Sequence, residues 1–153
     1  MTDVRIEQGR VQLPSGAWGV VPEQNRERRG HAFYPDFKAL AKIPALYATD
    51  GQPAGEKIIH LHYFSANADW YIAELDPTEG VAFGWARVNY PEGEWGYTHL
   101  VELEELCAPA RAVSFGGNPI GIIPPVMVER DLHFTPLPAA ECIRGDDGRL
   151  VAF

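Results

Sequence analysis

Hydrophobic and polar positions alternate most clearly in the middle of the chain. Residues 57–64 (KIIHLHYF), 69–75 (DWYIAEL) and 81–88 (VAFGWARV) are rich in β-branched and aromatic side chains, which favour strands. Short turn-like segments, 65–67 and 76–80, separate the three runs. Because strands joined by short connections usually pair antiparallel, we predict a β-meander here.

Helical patterns flank this meander on both sides. Residues 36–42 predict a short helix, with Pro35 at its entrance and Pro44 ending it. A second helix is predicted from Thr98, as N-cap, through Cys107. Its leucines form one packing stripe, and its glutamates share another side.

Residues 126–135 alternate again and predict the last strand. The alternation places Arg130 on the apolar side of that strand. A buried guanidinium requires a carboxylate partner, and Glu74 and Asp76 end the predicted second meander strand. We therefore predict a structural ion pair between Arg130 and Glu74. The preceding residues 108–125 hold three glycines and four prolines, so we expect a long loop there.

Residues 1–30 predict an N-terminal extension of the domain. Apolar positions alternate around Gly9, which favours a β-hairpin, and a further short strand is expected over 18–21. The polar run 23–30 is expected to be a mobile connector. Its three arginines allow a nucleic-acid-binding hypothesis, although a solvated loop is the ordinary interpretation: Arg26, Arg28 and Arg29.

The remaining residues, 31–153, are expected to form a single domain. The chain has 153 residues, of which 46% are hydrophobic, enough to build one core. The predicted fold class is α+β: a curved, mainly antiparallel β-sheet (meander) with two short helices and the N-terminal β-hairpin extension. No long apolar run or signal segment occurs, so a soluble cytoplasmic protein is expected.

Charge narrows the functional classes. The formal net charge of −8 disfavours direct binding to nucleic acid, which depends on neutralising phosphates with Lys and Arg. It suits a protein that binds a basic partner. The two cysteines match no zinc or redox spacing, and no phosphate-binding loop or nucleophile motif is present.

The main alternative function, a small metal-dependent or hydrolytic enzyme, rests on three histidines. His60 and His62 stand two apart on a predicted strand, which places both imidazoles on one face, as a metal site requires. The further acidic and histidine ligands of a cupin-like site do not follow at suitable spacing. His133, beside Asp131, is the third member of a hypothetical small metal-dependent or hydrolytic enzyme site. Two partly exposed strand histidines are the ordinary interpretation, and we predict no metal and no cofactor.

The stretch between Arg87 and Arg111 carries negative charge only, because it contains glutamates but no Lys or Arg. Such a stretch can steer and dock a basic partner, with a solvated helix face as the ordinary alternative. The candidate partner-binding residues are Glu92, Glu94, Trp95, Glu102 and Glu105.

Residues 44–137 resemble a bacterial domain family of unknown function. The resemblance rests on LYAT at 46–49, DWY at 69–71, FG at 83–84, GY at 96–97 and VERDLHF at 128–134. It implies an accessory protein of plasmids, integrative elements or phages, often encoded near antirestriction or replication genes. The resemblance implies no catalytic residues.

Together these observations predict a non-enzymatic accessory protein that acts by protein–protein binding. Its expected partner is a protein or nucleoprotein complex of the host. The most concrete hypothesis is a counter-defence inhibitor of anti-CRISPR or antirestriction type that uses an acidic surface. No membrane association is expected, and the sequence leaves the oligomeric state open.

Overall fold

The computed structural model describes residues 23–89, 91–123 and 125–153, with the backbone of three short strands nearer the N-terminus. Those strands form one antiparallel sheet in chain order: β1 Ile6–Glu7, β2 Arg10–Gln12 and β3 Trp18–Val20. The pairing of β1 with β2 agrees with the predicted hairpin, whose turn at Gly9 lies outside the described residues. The division of the chain at residue 30 stays a prediction.

The central feature is a five-stranded antiparallel sheet. Four of its strands are β5 Leu61–Ser65, β6 Ala68–Asp76, β7 Val81–Val88 and β8 Glu94–His99. The short strand β4, Ile58–Ile59, precedes β5 and lies outside this sheet. Strand β13, Glu129–Arg130, completes it in the order β13–β5–β6–β7–β8. The predicted α+β class and the antiparallel meander are therefore confirmed.

Short helices lie between the strands: α1 Arg26–Arg29, α2 Phe37–Lys42, α3 Leu100–Glu105, α4 Ala139–Cys142 and a 3₁₀ turn, Ala54–Glu56. Helix α2 begins as predicted, because the Asp36 carboxylate accepts a hydrogen bond from the backbone N–H of Ala39 at 2.8 Å. Helix α3 starts later than predicted, with Thr98 still in β8 and His99 as its N-cap. None of the described helices is long and apolar enough to cross a membrane.

Both faces of the sheet are buried. On the first, called the α3 face, side chains of the sheet pack with the helix and with residues near the start of the domain: Phe33, Tyr63, Trp70, Ile72, Leu100, Leu103 and Val128. On the second, called the α4 face, they pack under the C-terminal segment: Ile59, Tyr71, Ala73, Trp85, Ala139 and Ile143. This double burial explains the nearly continuous apolar run of β6.

An irregularity in β6 changes the predicted placement of Glu74. The strand register shifts between Ile72 and Glu74, which pairs with Phe83 on the α4 face. Arg130 pairs with Tyr63, which packs on the α3 face. The bulge at Ala73 therefore puts Glu74 and Arg130 on opposite faces, and the predicted ion pair between them does not form.

Each of these two side chains has another role. Glu74 is buried and accepts hydrogen bonds from the backbone N–H groups of Tyr47, at 2.7 Å, and Thr49, at 3.1 Å, and from the Thr49 hydroxyl. Arg130 donates from Nε to the carbonyl oxygen of Ala32 at 3.2 Å. Both fasten the segment before the meander to the sheet.

The polar run 23–30 is a packed part of the fold rather than a mobile connector. Asn25, the N-cap of α1, and Arg29, its last residue, are both buried, and Gly30, with a φ of 84°, ends the helix in the left-handed region. Polar composition misled the sequence interpretation here because Asn25 and Arg29 find hydrogen-bond partners inside the protein.

The predicted loop 108–125 is largely a β-ribbon. It contains β9 Cys107–Ala108, β10 Arg111–Phe115, β11 Asn118–Ile123 and β12 Val126–Met127. Strands β9 and β12 pair at the base, and β10 and β11 pair above them. Gly116 and Gly117 make the two-residue turn at the tip, with φ of 58° and 81°. We call residues 107–127 the arm.

The predicted last strand, 126–135, is shorter than expected and is divided between two sheets. Strand β12 belongs to the arm, and only β13 joins the central sheet. After Arg130 the chain turns at Leu132 and His133, where the backbone N–H of His133 donates to the Asp131 carboxylate at 3.0 Å.

Candidate functional site

The predicted acidic residues lie at β8 and α3, which are consecutive along the chain. Glu92 is exposed two residues before β8, Glu94 is exposed as its first residue, and Glu102 and Glu105 are exposed on α3. Glu94 pairs with Ala86, which packs on the α3 face. We call these four carboxylates the acidic surface.

Strand β8 stands at the end of the five-stranded sheet and borders a groove of about 540 Å³. Glu92 and Glu94 line it together with Gly96, Tyr97 and Thr98. A Cβ atom added at Gly96 would meet nothing within 4 Å, so the backbone is accessible there. An open strand edge beside carboxylates can accept an extended, basic segment.

Trp95 lies apart from the acidic surface. It pairs with Trp85, so its side chain points to the α4 face, opposite to that of Glu94. Its ring stacks on Phe83 at a centroid separation of 5.8 Å and contacts Phe153 at 5.6 Å. The structure therefore gives Trp95 a packing role on the face opposite to Glu94.

A buried ion pair anchors α3. The Arg29 and Glu104 side chains are 0% and 3% exposed, with Nη1 and Oε1 3.6 Å apart. Glu104 Oε1 also accepts from the backbone N–H of Asn25 at 2.8 Å, and the Asn25 amide donates to the Glu104 carbonyl at 2.9 Å. Because Glu104 points inward, its neighbour Glu105 and Glu102 face solvent on a rigidly held helix.

Arg29 makes three further contacts within the same cluster. Its Nε donates to the carbonyl oxygen of Val128 at 2.8 Å, and its Nη2 to that of Glu104 at 3.0 Å. The guanidinium also lies over the Phe33 ring, 4.9 Å from its centroid. Arg29 is therefore committed to the core, which removes one of the three arginines from the nucleic-acid hypothesis.

His62 has both ring nitrogens engaged. Nδ1 lies 3.0 Å from Asp131 Oδ2, and Nε2 lies 2.8 Å from Asp69 Oδ1. Asp69 is also hydrogen-bonded by Arg87, and the imidazole stacks on Tyr71 at 4.3 Å and 8°. Both contacts are hydrogen bonds when each nitrogen carries a proton, because carboxylate oxygens only accept. His62 thus links β5, β6 and the turn after β13.

The contacts around His62 lower the pKa values of two carboxyl groups, those of Asp69 and Asp131. Burial raises the pKa of Asp69, but hydrogen bonds and charge from His62 and Arg87 outweigh it and hold that pKa below its usual value. Burial likewise raises the pKa of Asp131, and hydrogen bonds from His62 and from the backbone N–H of His133 more than offset it. Both groups stay ionised, as an ion-paired network requires.

The other two histidines do not join His62. Ile59 packs on the α4 face and Leu61 on the α3 face, so the alternation is interrupted at His60 and the two-residue spacing does not align His60 with His62. Burial lowers the pKa of His60, which favours its neutral form. His133 is exposed in the turn that follows β13.

The described residues contain no group of three or more His, Cys, Asp or Glu side chains arranged to hold a metal ion. Around His62 the reason is geometric: Asp69 and Asp131 approach opposite nitrogens of the ring, so their oxygens do not converge on one point.

The sequence interpretation missed the exposed apolar residues of the arm. Phe115, Ile120 and Ile122 are 80%, 65% and 72% exposed. A usable signal was present, since Gly116-Gly117 stands between two runs of strand-forming residues and is a typical two-residue hairpin turn. The many prolines of this region concealed it.

Comparison with known proteins gives a family but no characterised relative. No curated protein and no solved structure matches this chain. A family model matches residues 40–116, which run from the end of α2 through the meander and α3 to the arm's tip. The resemblance placed at 44–137 thus overlaps the matched segment, and its landmarks from Val128 onward lie beyond it. The chain belongs to the family described as protein of unknown function (DUF2958).

Proposed function

We propose that this chain is a non-enzymatic accessory protein that binds a basic surface of a protein or nucleoprotein complex through its acidic surface. One observation carries the proposal: Glu92, just before β8, Glu94 on β8, and Glu102 and Glu105 on the following helix are all exposed, in a stretch without Lys or Arg. Carboxylates presented in this way raise the association rate with a basic partner and discriminate against acidic ones.

The anchoring of α3 supports this role. The Arg29–Glu104 ion pair and the Asn25 hydrogen bonds fix the helix before any partner arrives. Little conformational entropy of the backbone is then lost on binding, so more of the electrostatic attraction contributes to affinity.

The finer proposal is counter-defence on behalf of a mobile genetic element. Host complexes of CRISPR or restriction type hold nucleic acid in grooves lined with Lys and Arg, and an acidic protein can occlude such a groove. The resemblance to accessory proteins of plasmids, integrative elements and phages supports this setting. The same argument makes the protein a competitor of nucleic acid rather than its ligand.

The alternative of a metal-dependent or hydrolytic enzyme centred on His60, His62 and His133 has less support. His62 has no ring nitrogen left for substrate or metal, and the other two histidines stand apart from it. General acid–base catalysis requires a nitrogen within hydrogen-bond reach of the substrate.

The first test is capture of host proteins from a lysate at low salt, repeated at high salt. We expect a nucleoprotein complex to be retained at low salt and released at high salt, because screening weakens contacts between exposed charges. Retention that is unaffected by salt would contradict an electrostatic contact.

The second test locates the surface. In Glu102→Lys with Glu105→Lys, affinity for the captured complex should fall at least about tenfold, since two attractions become repulsions. The matched control is Glu56→Lys with Glu141→Lys, which makes the same change of net charge at exposed positions on other elements. Equal losses in both pairs would assign the effect to net charge and reject this surface.

A further inference from the structure

The two end strands of the central sheet differ in how far they leave its edge open. Strand β13 covers only Glu129 and Arg130, a short and charged edge that offers little for pairing. Strand β8 has 6 residues, among them no proline and no lysine, and pairs with β7 in a continuous register. The β8 edge therefore lacks the proline, lysine or bulge that usually keeps another strand away.

Backbone hydrogen-bonding groups of β8 point outward at Trp95 and Tyr97. The backbone N–H of Leu100 donates to the carbonyl oxygen of Gly80 at 2.8 Å, which makes these two residues a hydrogen-bonded pair. Because hydrogen-bonded and non-hydrogen-bonded pairs alternate along an antiparallel ladder, Trp95 and Tyr97 direct their N–H and C=O groups away from β7. Among the described residues, no backbone group bonds to them from that side. These groups are available to an added strand.

The two faces of β8 offer an added strand different surroundings. Glu94 and Gly96 share the α3 face and line the groove of about 540 Å³, as does Glu92. The described residues that line this groove include no Lys or Arg. Tyr97 lies on the α4 face, where it is 55% exposed and its ring centroid is 6.3 Å from that of Tyr47. The first face suits a basic side chain, and the second suits an apolar one.

We propose that β8 binds an extended segment of a partner protein, in which basic and apolar residues alternate, as a further strand of the central sheet. The added strand is antiparallel, as all neighbours in this sheet are. Directly opposite residues of paired strands share a face. Basic residues of the segment therefore lie opposite Glu94 and Gly96, and apolar residues lie opposite Trp95 and Tyr97. This inference rests on the proposed function, whose basic partner it specifies as an extended peptide segment.

Charge selects this occupant. A second copy of β8 has a glutamate and no Lys or Arg of its own, so it would add negative charge to an edge that already carries Glu92 and Glu94. Nucleic acid is disfavoured for the same reason, because its phosphates require cations. A segment with Lys or Arg at alternate positions offsets the carboxylates and also supplies the backbone groups that the edge lacks.

Binding of synthetic peptides to the full chain, followed by fluorescence anisotropy at low salt, tests the proposal. The probe alternates lysine and valine, and the control peptide carries the same residues as a lysine block followed by a valine block. We expect the alternating peptide to bind at least about tenfold more tightly, because only its lysines all face the groove. Equal affinities would overturn the proposal.

Backbone methylation of the probe separates strand addition from electrostatic attraction alone. In the proposed pairing the valine N–H groups donate to the carbonyl oxygens of Trp95 and Tyr97, and the lysine N–H groups point away from β8. N-methylation of the valines should therefore abolish binding, whereas N-methylation of the lysines should change affinity by less than about threefold. Equal effects of the two modifications, which leave charge unaltered, would reject strand addition.

A substitution at the edge tests the same bonds from the protein side. Tyr97→Pro removes an outward N–H group and no bond to β7, a placement that edge strands tolerate. The matched control is Tyr97→Ala, which removes the same aromatic ring and keeps the N–H group. Tyr97→Pro should weaken binding of the probe at least about tenfold more than Tyr97→Ala does. Equal binding by the two variants contradicts the proposal, and the methylated peptides decide it even where Tyr97→Pro fails to fold.

The two Tyr97 variants also separate this inference from the proposed function. If the captured host complex is lost in Glu102→Lys with Glu105→Lys but binds both Tyr97 variants equally, the acidic surface stands as the contact and strand addition is overturned. If binding of the probe depends on alternation and on valine N–H groups while the glutamate pair leaves the host complex unaffected, strand addition stands and the proposed contact on α3 fails.

Discussion

Two antiparallel hairpins of this protein share a backbone design and differ in surroundings. The pair β6–β7 lies in the middle of the sheet, with Ile72 and Trp85 buried on opposite faces. The pair β10–β11 projects in the arm, with Ile120 and Ile122 in solvent. Both are rich in β-branched and aromatic residues, so propensity for strand does not distinguish them.

The difference shows what each apolar side chain contributes. In β6–β7, burial between two packed layers supplies stability to the fold. In β10–β11, comparable side chains add little to the stability of the single chain, because they remain in contact with water. Stability measurements can therefore separate the two hairpins.

The sharpest test of this contrast uses glycine. A Cβ at Gly84, in β7, would lie 1.8 Å from the carbonyl oxygen of Tyr71, whereas one at Gly121, in β11, would meet nothing within 4 Å. Gly84→Ala should lower the free energy of unfolding by more than about 3 kcal/mol, since strand backbones must separate. Gly121→Ala should change it by less than about 0.5 kcal/mol. Urea denaturation of both variants measures this, and equal effects would break the comparison.

A second test makes the same substitution in both hairpins. Ile72→Thr should lower the free energy of unfolding by about 2–4 kcal/mol, because it leaves a cavity and buries a hydroxyl group. Ile122→Thr should lower it by less than about 0.5 kcal/mol at concentrations where the chain is monomeric. A loss at Ile122 as large as that at Ile72 would mean that the arm packs on its own domain.

The smallest expected effect is a dependence of stability on acid pH that arises in the central sheet and not in the arm. The pKa values of Asp69 and Asp131 are lowered in the fold, so their stabilisation is fully present above the ordinary carboxyl pKa of 3.8 and is lost as pH falls below it. His62→Gln should therefore destabilise the protein at pH 6 and have a smaller effect near pH 3, as denaturation at both values would show.

The arm provides the internal control for this experiment. It holds no carboxylate, so the pairing of β10 with β11 should respond less to acid than that of β5 with β6. Nuclear magnetic resonance shifts of Val113 and Tyr63 can follow the two sites separately. A difference between wild type and His62→Gln that stays constant from pH 6 to pH 3 would contradict the assigned linkage.

The sequence was sufficient for the meander because its signals are local. The alternation in 57–64, 69–75 and 81–88 and the short turns between them specify the antiparallel order. The exposed and buried sides of α3 were also predictable, since Leu100 and Leu103 share one stripe at helical spacing.

Other features depend on contacts that no local pattern encodes. Arg29 is buried because Glu104, 75 residues away, meets it in the core. Glu74 changed face because one residue, Ala73, is inserted into the pairing of β6 with β7. Likewise the two-carboxylate contact of His62 joins residues 7 and 69 positions away, and only the fold brings them together.

The base of the arm makes that segment an exchangeable module. Strands β9 and β12 are paired there, so the chain leaves the body and returns to it at points about 5 Å apart. A segment with such close ends can be shortened, lengthened or replaced with little effect on the residues it connects. The family match also ends at residue 116, at the tip, leaving β11 outside it. The length and sequence of this segment can therefore vary while the central sheet is kept.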